Sequence, residues 1–359
     1  MKSALLSALF GIPMLALPPA CAAGPAAPTQ ASAPARLDFA FDYELARLVS
    51  QSVAQGQFSE AAIAAIRSHP ASAAMVRKMK LKGMDELIAY LRTLPANPKM
   101  APAAEAIHAR LGGAAGDGYA PLADEVTRLL RQYVPADFAG RLTVYFIFGG
   151  NAGGFAFDDN RNDVYVNLAR MSEASTQELA ELVAHELFHG VQAQLMPPPP
   201  RPAADTPAAA LGQVWTRRLL YDLLQEGTAE LFTHPLADRP ANGYSMRGKA
   251  RIERNTKRME SIVTMVETIG LRLLASPPRD EDGYEAIYGL LFYGTFDEPA
   301  YDLGWVMAST IERHEGKAAV YALLKAEPKR FLLRYQELAQ QDPKLPKFSE
   351  DFVRAVRAL

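Results

Sequence analysis

Two histidines four residues apart, with a glutamate directly after the first, stand at His185, Glu186 and His189 in the run HELFH. On a helix the two imidazoles lie one turn above each other on one face and can reach a single cation. Glu186 projects from the next position round, within reach of water at that cation. The chemistry this spacing permits is hydrolysis. Two nitrogen donors hold zinc, and a carboxylate takes the proton of a water that attacks a carbonyl.

The elements needed to position these groups are written around them. Ser175 followed by Glu178 forms a capping box that opens a helix. Leu179, Leu182, Val183, Leu187 and Val191 give that helix an apolar stripe, and four prolines at 197–200 forbid its continuation. A second helix is predicted over about 211–232. There Leu219, Leu220, Leu223, Leu224 and Gly227 form the apolar side, and Arg217, Arg218, Tyr221, Asp222 and Gln225 the polar one. Glu226 and Glu230 fall on the apolar side, where a desolvated carboxylate is costly unless a cation meets it. A metal held by two histidines would be that cation.

The chain has 359 residues, 49% of them hydrophobic, with a net charge of −2. That balance leaves no electrostatic footprint for nucleic acid. Residues 1–22 read as a bacterial signal peptide, with Lys2 as the positive start, an apolar run at 4–17 and small residues around Ala20–Cys21–Ala22. The expected location is therefore the periplasm or the medium. No transmembrane span is expected in the mature chain. Cys21 is the sole cysteine. It would serve as a lipid anchor in a lesser reading, from which Pro18-Pro19-Ala20 departs.

Residues 23–36 form an Ala/Pro-rich linker. Residues 37–135 read as a helical N-terminal region, with helices over 37–54, 59–68, 71–79, 84–94, 101–111 and 120–133. This region is either a pro-segment or one wall of the cleft. His69 and His108 lie within it as surface or packing residues. The pattern then changes, and 136–359 forms the catalytic region. LTVYFIF (142–148) is a buried strand, and the stretches 155–157 and 163–168 flank DDNR as a hairpin. The loop GGNAGG lacks the Lys-Ser/Thr that grips phosphate and leads into strand, which excludes a nucleotide loop. DVYVNL reads either as an ordinary strand or as an edge strand offered to an extended peptide. A charged helix over about 244–274 presents a solvated face, and a last well-marked helix runs from Pro299 to a terminating Gly316. The fold class is α+β, mostly helical, with a small antiparallel sheet beside the HExxH helix.

On HELFH at 185–189 and EGTAE at 226–230, the chain resembles the gluzincin metallopeptidases over about 141–335. It looks closest to bacterial zinc-dependent peptidase families without an assigned substrate, which share an EGxA-type motif and a later Tyr-x-x-Gly helix, here Tyr301 to Gly304. The resemblance implies one zinc ion per chain, held by His185, His189 and Glu226, with Glu186 as general base. It implies that Glu230 orients a ligating histidine and that the substrate is a peptide or protein. The interval from His189 to Glu226, 226 − 189 = 37, exceeds that of thermolysin-like and aminopeptidase members, and no GxMEN motif is visible. Specificity and subfamily stay open at this point. An oxyanion donor besides zinc is needed; Tyr301 is the candidate, with His314 and His234 behind it. Two other classes compete. A catalytically silent relative binding a partner would have lost Glu186 or a ligand, and a non-haem iron enzyme has no use for the glutamate inside HExxH.

Overall fold

In the computed structural model, residues 37–112, 121–135, 138–157, 159–234 and 245–359 are described. The leader, the linker and Cys21 lie outside them. Fifteen helices, numbered α1–α15 in chain order, surround one four-stranded sheet among the described residues. The strands are β1 (Leu37–Asp42), β2 (Gly140–Ile147), β3 (Gly154–Phe157) and β4 (Asn160–Asn167), in the spatial order β1-β2-β4-β3.

The α+β, mostly helical class holds. The sheet is mixed, however: β1 and β4 both run parallel to β2, and β3 alone is antiparallel to its neighbour. The stretch expected to begin the first helix supplies β1, and the helix itself, α1, starts at Glu44 and ends at Ala54. Leu37 pairs with Gly140, far along the chain, so no local turn betrays the strand. The expected hairpin is present as β3 and β4. All of DVYVNL but its last residue lies inside β4, flanked by β2 and β3, and is therefore an interior strand; the edge nearest the motif is β3.

Alternation along β2 buries Leu142, Val144 and Phe146 completely. Tyr145, Tyr165 and Phe155 stack in a row across β2, β4 and β3, with ring centroids 5.5 and 4.8 Å apart. The glycine loop before β3 is structural. Gly149 and Gly150 take positive φ of 113° and 84°. The buried Asn167 side chain clamps them, accepting from Gly149 N at 3.1 Å and donating to the carbonyls of Gly149 (2.8 Å) and Ala152 (3.0 Å). This fixes where β3 begins.

Behind β2, β3 and β4 packs α7 (Thr176–Leu195), opened by the capping box of Ser175 and Glu178. Against α7 lies α8 (Ala208–Thr233), and against α8 lies α12 (Pro299–Glu315). The charged helix is in fact two, α9 (Ser245–Lys257) and α10 (Met259–Ala275), broken where Arg258 leaves helical geometry at φ −117° and ψ 21°.

The crossing of α8 and α12 is set by two glycines. A Cβ on Gly227 or on Gly304 would stand 2.5 Å from the Cα of the other, so the backbones touch. Gly304→Ala is expected to destabilise the fold by about 2–3 kcal/mol, since rigid helices must separate. Gly248→Ala, in α9 with nothing within 4 Å of its added methyl, is expected to be neutral or to stabilise by up to about 1 kcal/mol. Urea unfolding of both variants measures the contrast.

Candidate metal centre

Helix α7 presents His185 and His189 one turn apart, and α8 brings Glu226 to face them. Their Nε2 atoms stand 3.2 Å from each other. Glu226 Oε2 lies 3.4 Å from His189 Nε2 and 3.8 Å from His185 Nε2. Four ligands at about 2.0–2.1 Å from zinc are separated by about 3.3–3.4 Å in a tetrahedron. The three side chains thus already stand at the edges of such a site, and they form the group among the described residues able to hold a metal. Glu226 Oε2 is buried with no hydrogen-bond partner. An orphaned carboxylate oxygen between two imidazole nitrogens is the donor set zinc takes, so the residues fit the ion.

Hydrogen bonds behind the ligands fix their rings. His189 Nδ1 donates to Gln192 Oε1 at 2.7 Å. Gln192 is itself pinned, its Nε2 donating to the Gln225 carbonyl (2.7 Å) and to Thr228 Oγ1 (2.8 Å). Its oxygen must then face His189, which leaves Nε2 of the neutral ring free for metal. His185 uses the carbonyl of Ala229, and Thr233 Oγ1 stands 3.4 Å from its Nδ1. Glu230, expected to orient a histidine directly, does so at one remove: Thr233 donates to it at 3.0 Å. Glu230 also faces Arg251 at 3.8 Å. None of Gln192, Thr233 and Arg251 is named from the sequence; Gln192 had a signal, a polar side chain one turn after His189, whereas Thr233 and Arg251 carried none.

Electrostatics without metal are those of a strained cluster. Burial and the charge on His189 push His185 down to about 3. Burial also opposes charge on His189, but Glu226 outweighs it and lifts that ring to about 9. The same pairing, against burial, holds Glu226 below its ordinary value. Glu186 is driven up to about 7 by burial. It packs on the first residue of β3, so closely that a Cβ on Gly154 would meet its Oε1 at 2.1 Å.

Tyr301, in the first turn of α12, faces Glu226 and helps hold that carboxylate down, and burial then Glu226 hold its own hydroxyl well above the ordinary range. His314 and His234 are not at the site. His314 is exposed near the end of α12. His234 is buried against Trp305, ring centroids 3.5 Å apart, and 3.5 Å from Asp302. Two cavities meet at the cluster, of about 390 and 770 Å³, and His185, Glu186, Gly154 and Tyr301 line both. The smaller is walled by Lys78, at the end of α3 (Pro70–Lys78), and by tyrosines of α11 (Glu281–Phe292).

A proton on His189 at neutral pH must leave before zinc binds. Zinc affinity, measured against a chromophoric chelator, is expected to rise up to about tenfold per pH unit from about pH 7 and to flatten near 9. Glu226→Ala should reduce zinc content well below one per chain, and Gln192→Leu should weaken affinity by about 10–100-fold.

No curated protein and no solved structure matches the chain. A family model described as "Putative zinc dependent peptidase (DUF5700)" matches residues 119–344, which hold all three candidate ligands together with Glu186 and Tyr301. This span exceeds half the chain, and the chain belongs to that family.

Proposed function

We propose that the protein is an exported zinc peptidase of the HExxH type that hydrolyses peptide bonds with Glu186 as general base. The observation that carries this is the convergence of His185, His189 and Glu226 beside a buried Glu186 at the junction of two cavities. Zinc held there supplies a Lewis acid for the scissile carbonyl and lowers the pKa of water toward about 7. Glu186 takes a proton from the attacking water and returns it to the departing amide nitrogen as the C–N bond breaks. Its raised pKa suits both halves of that exchange.

Tyr301 keeps its proton across the neutral range and is therefore a donor. We assign it to the oxygen of the carbonyl, where negative charge grows as the carbon becomes tetrahedral. The edge position of β3 supports an extended peptide as substrate. Its Gly154 and Phe155 line the smaller cavity beside Glu186, and a free strand edge takes a peptide by backbone pairing. Export rests on the leader at residues 1–22, and among the described residues no helix is long and apolar enough to cross a membrane.

Glu186→Gln is expected to lower hydrolysis of a quenched-fluorescent peptide library by about 10²–10⁴-fold while one zinc per chain remains. Activity persisting in that variant places the base elsewhere. Gly154→Ala pushes on the same carboxylate and should reduce turnover by about tenfold or more, again with zinc retained.

A further inference from the structure

The turn that delivers Tyr301 is held in an unfavourable conformation. Asp297 (φ 65°, ψ 23°) and Glu298 (φ 48°, ψ 50°) are consecutive left-handed residues, and neither is glycine. L-residues avoid this region, and such residues persist where their surroundings over-determine them. Pro299 then opens α12, and Tyr301 N closes on the Glu298 carbonyl at 3.1 Å.

The surroundings that hold the turn come from one short stretch at the end of α9. Arg254 grips the Asp297 carboxylate with two bonds, at 2.7 and 3.1 Å, and Arg258 adds a third at 3.0 Å. Asn255 donates to the Asp297 carbonyl at 2.7 Å, and Arg251 to Glu298 at 2.5 Å. Arg254 and Arg258 are about half exposed, at 53% and 44%. Ion pairs so exposed add little to global stability; Arg254 and Asp297 also line the larger cavity, and the groups that these bonds directly restrain belong to the turn.

We propose that Arg254 and Arg258 are positioning residues that set the place of the Tyr301 hydroxyl through the Asp297–Glu298 turn. Tyr301 lies between two fixed points. Ahead of it is the gripped turn, and one helical step beyond it Gly304 is seated on Gly227. Releasing the turn frees the first turn of α12 to rotate about the glycine contact. That movement carries the hydroxyl away from Glu226 and from the cavity junction it lines. The inference rests on the peptidase reading for its effect on turnover.

The test is a cycle of four zinc-loaded mature proteins: wild type, Arg254→Ala/Arg258→Ala, Tyr301→Phe, and the three changes together. Kinetics use the best-cleaved peptide of the quenched library. The arginine pair is expected to lower kcat about tenfold with KM changed less than about twofold. In the Tyr301→Phe background the same pair should cost less than about twofold, because the group it positions is gone. An equal loss in both backgrounds, or no loss with the tyrosine present, overturns the proposal. If the wild type carries zinc and cuts no peptide, the peptidase reading has failed and the clamp is read from zinc affinity instead. Tyr301 faces the candidate ligand Glu226, so the arginine pair should weaken zinc about threefold with the tyrosine present and leave it unchanged in the Tyr301→Phe background. Equal zinc affinities in all four proteins overturn the clamp there.

Discussion

The contact on which the site depends is backbone against backbone, Gly227 on Gly304. Helices carrying side chains at a crossing normally stand 8–10 Å apart. Two glycines let α8 and α12 approach until their main chains meet. Glu226 precedes one glycine by a single residue, and Tyr301 precedes the other by three. The close crossing therefore places a carboxylate and a phenol within hydrogen-bond reach, both against the histidines of α7. A larger residue at either position would lift α12, and with it Tyr301, from the cavity junction. The glycines in EGTAE and in Tyr-Asp-Leu-Gly are one device seen from its two sides.

Burial is the second constraint. Helix α7 offers two imidazoles and a carboxylate to an apolar interior, and α8 offers Glu226 and Glu230. Such groups cost free energy unless each finds a partner. The chain meets this in layers. Glutamine and threonine side chains satisfy the outer ring nitrogens, Arg251 faces Glu230 and Asp302, and Asp302 also meets Asn255. What stays unsatisfied at the centre is Glu226 Oε2, opposite two nitrogens. A buried carboxylate oxygen left without a hydrogen bond opposite two imidazole nitrogens is organised for a cation.

Much of this was legible in the sequence because it is local. The capping box, the apolar stripe and the HELFH spacing all lie within one helix, and helical periodicity converts that spacing into geometry. Glu226 was legible for a different reason: a carboxylate on an apolar face requires an explanation, and a metal is one. β1 was not legible, since a parallel strand whose partner lies a hundred residues on leaves no turn signal, and alternation over LDFAFD also suits a helix start. Which strand forms the edge stayed open between two readings for a related reason. DVYVNL has the stronger strand composition, yet sheet order is decided by pairing with distant β2, and that put it inside. His234 and His314 were named by residue type alone, and type without a local pattern did not place them. Tyr301 had the pattern of Tyr-x-x-Gly as support, and the crossing at Gly304 gives that pattern its physical meaning.

The division of labour along the chain follows from these contacts. The segment matched by the family holds the candidate ligands, Glu186 and the crossing glycines, all on helices packed into one core. Residues before it contribute otherwise. β1 extends the sheet by pairing with β2, and α3 lays Lys78 over the Phe155 ring at 5.3 Å, on the wall of the smaller cavity. Such a wall touches whatever occupies the cavity without touching the ligand set. Changes there alter the shape and charge met by an occupant while the buried polar lattice around His185, His189 and Glu226 stays intact. On the proposed reading, the metal chemistry and the choice of substrate would therefore rest on different elements. The first is tied to the core and tolerates little change; the second is tied to a surface that can vary.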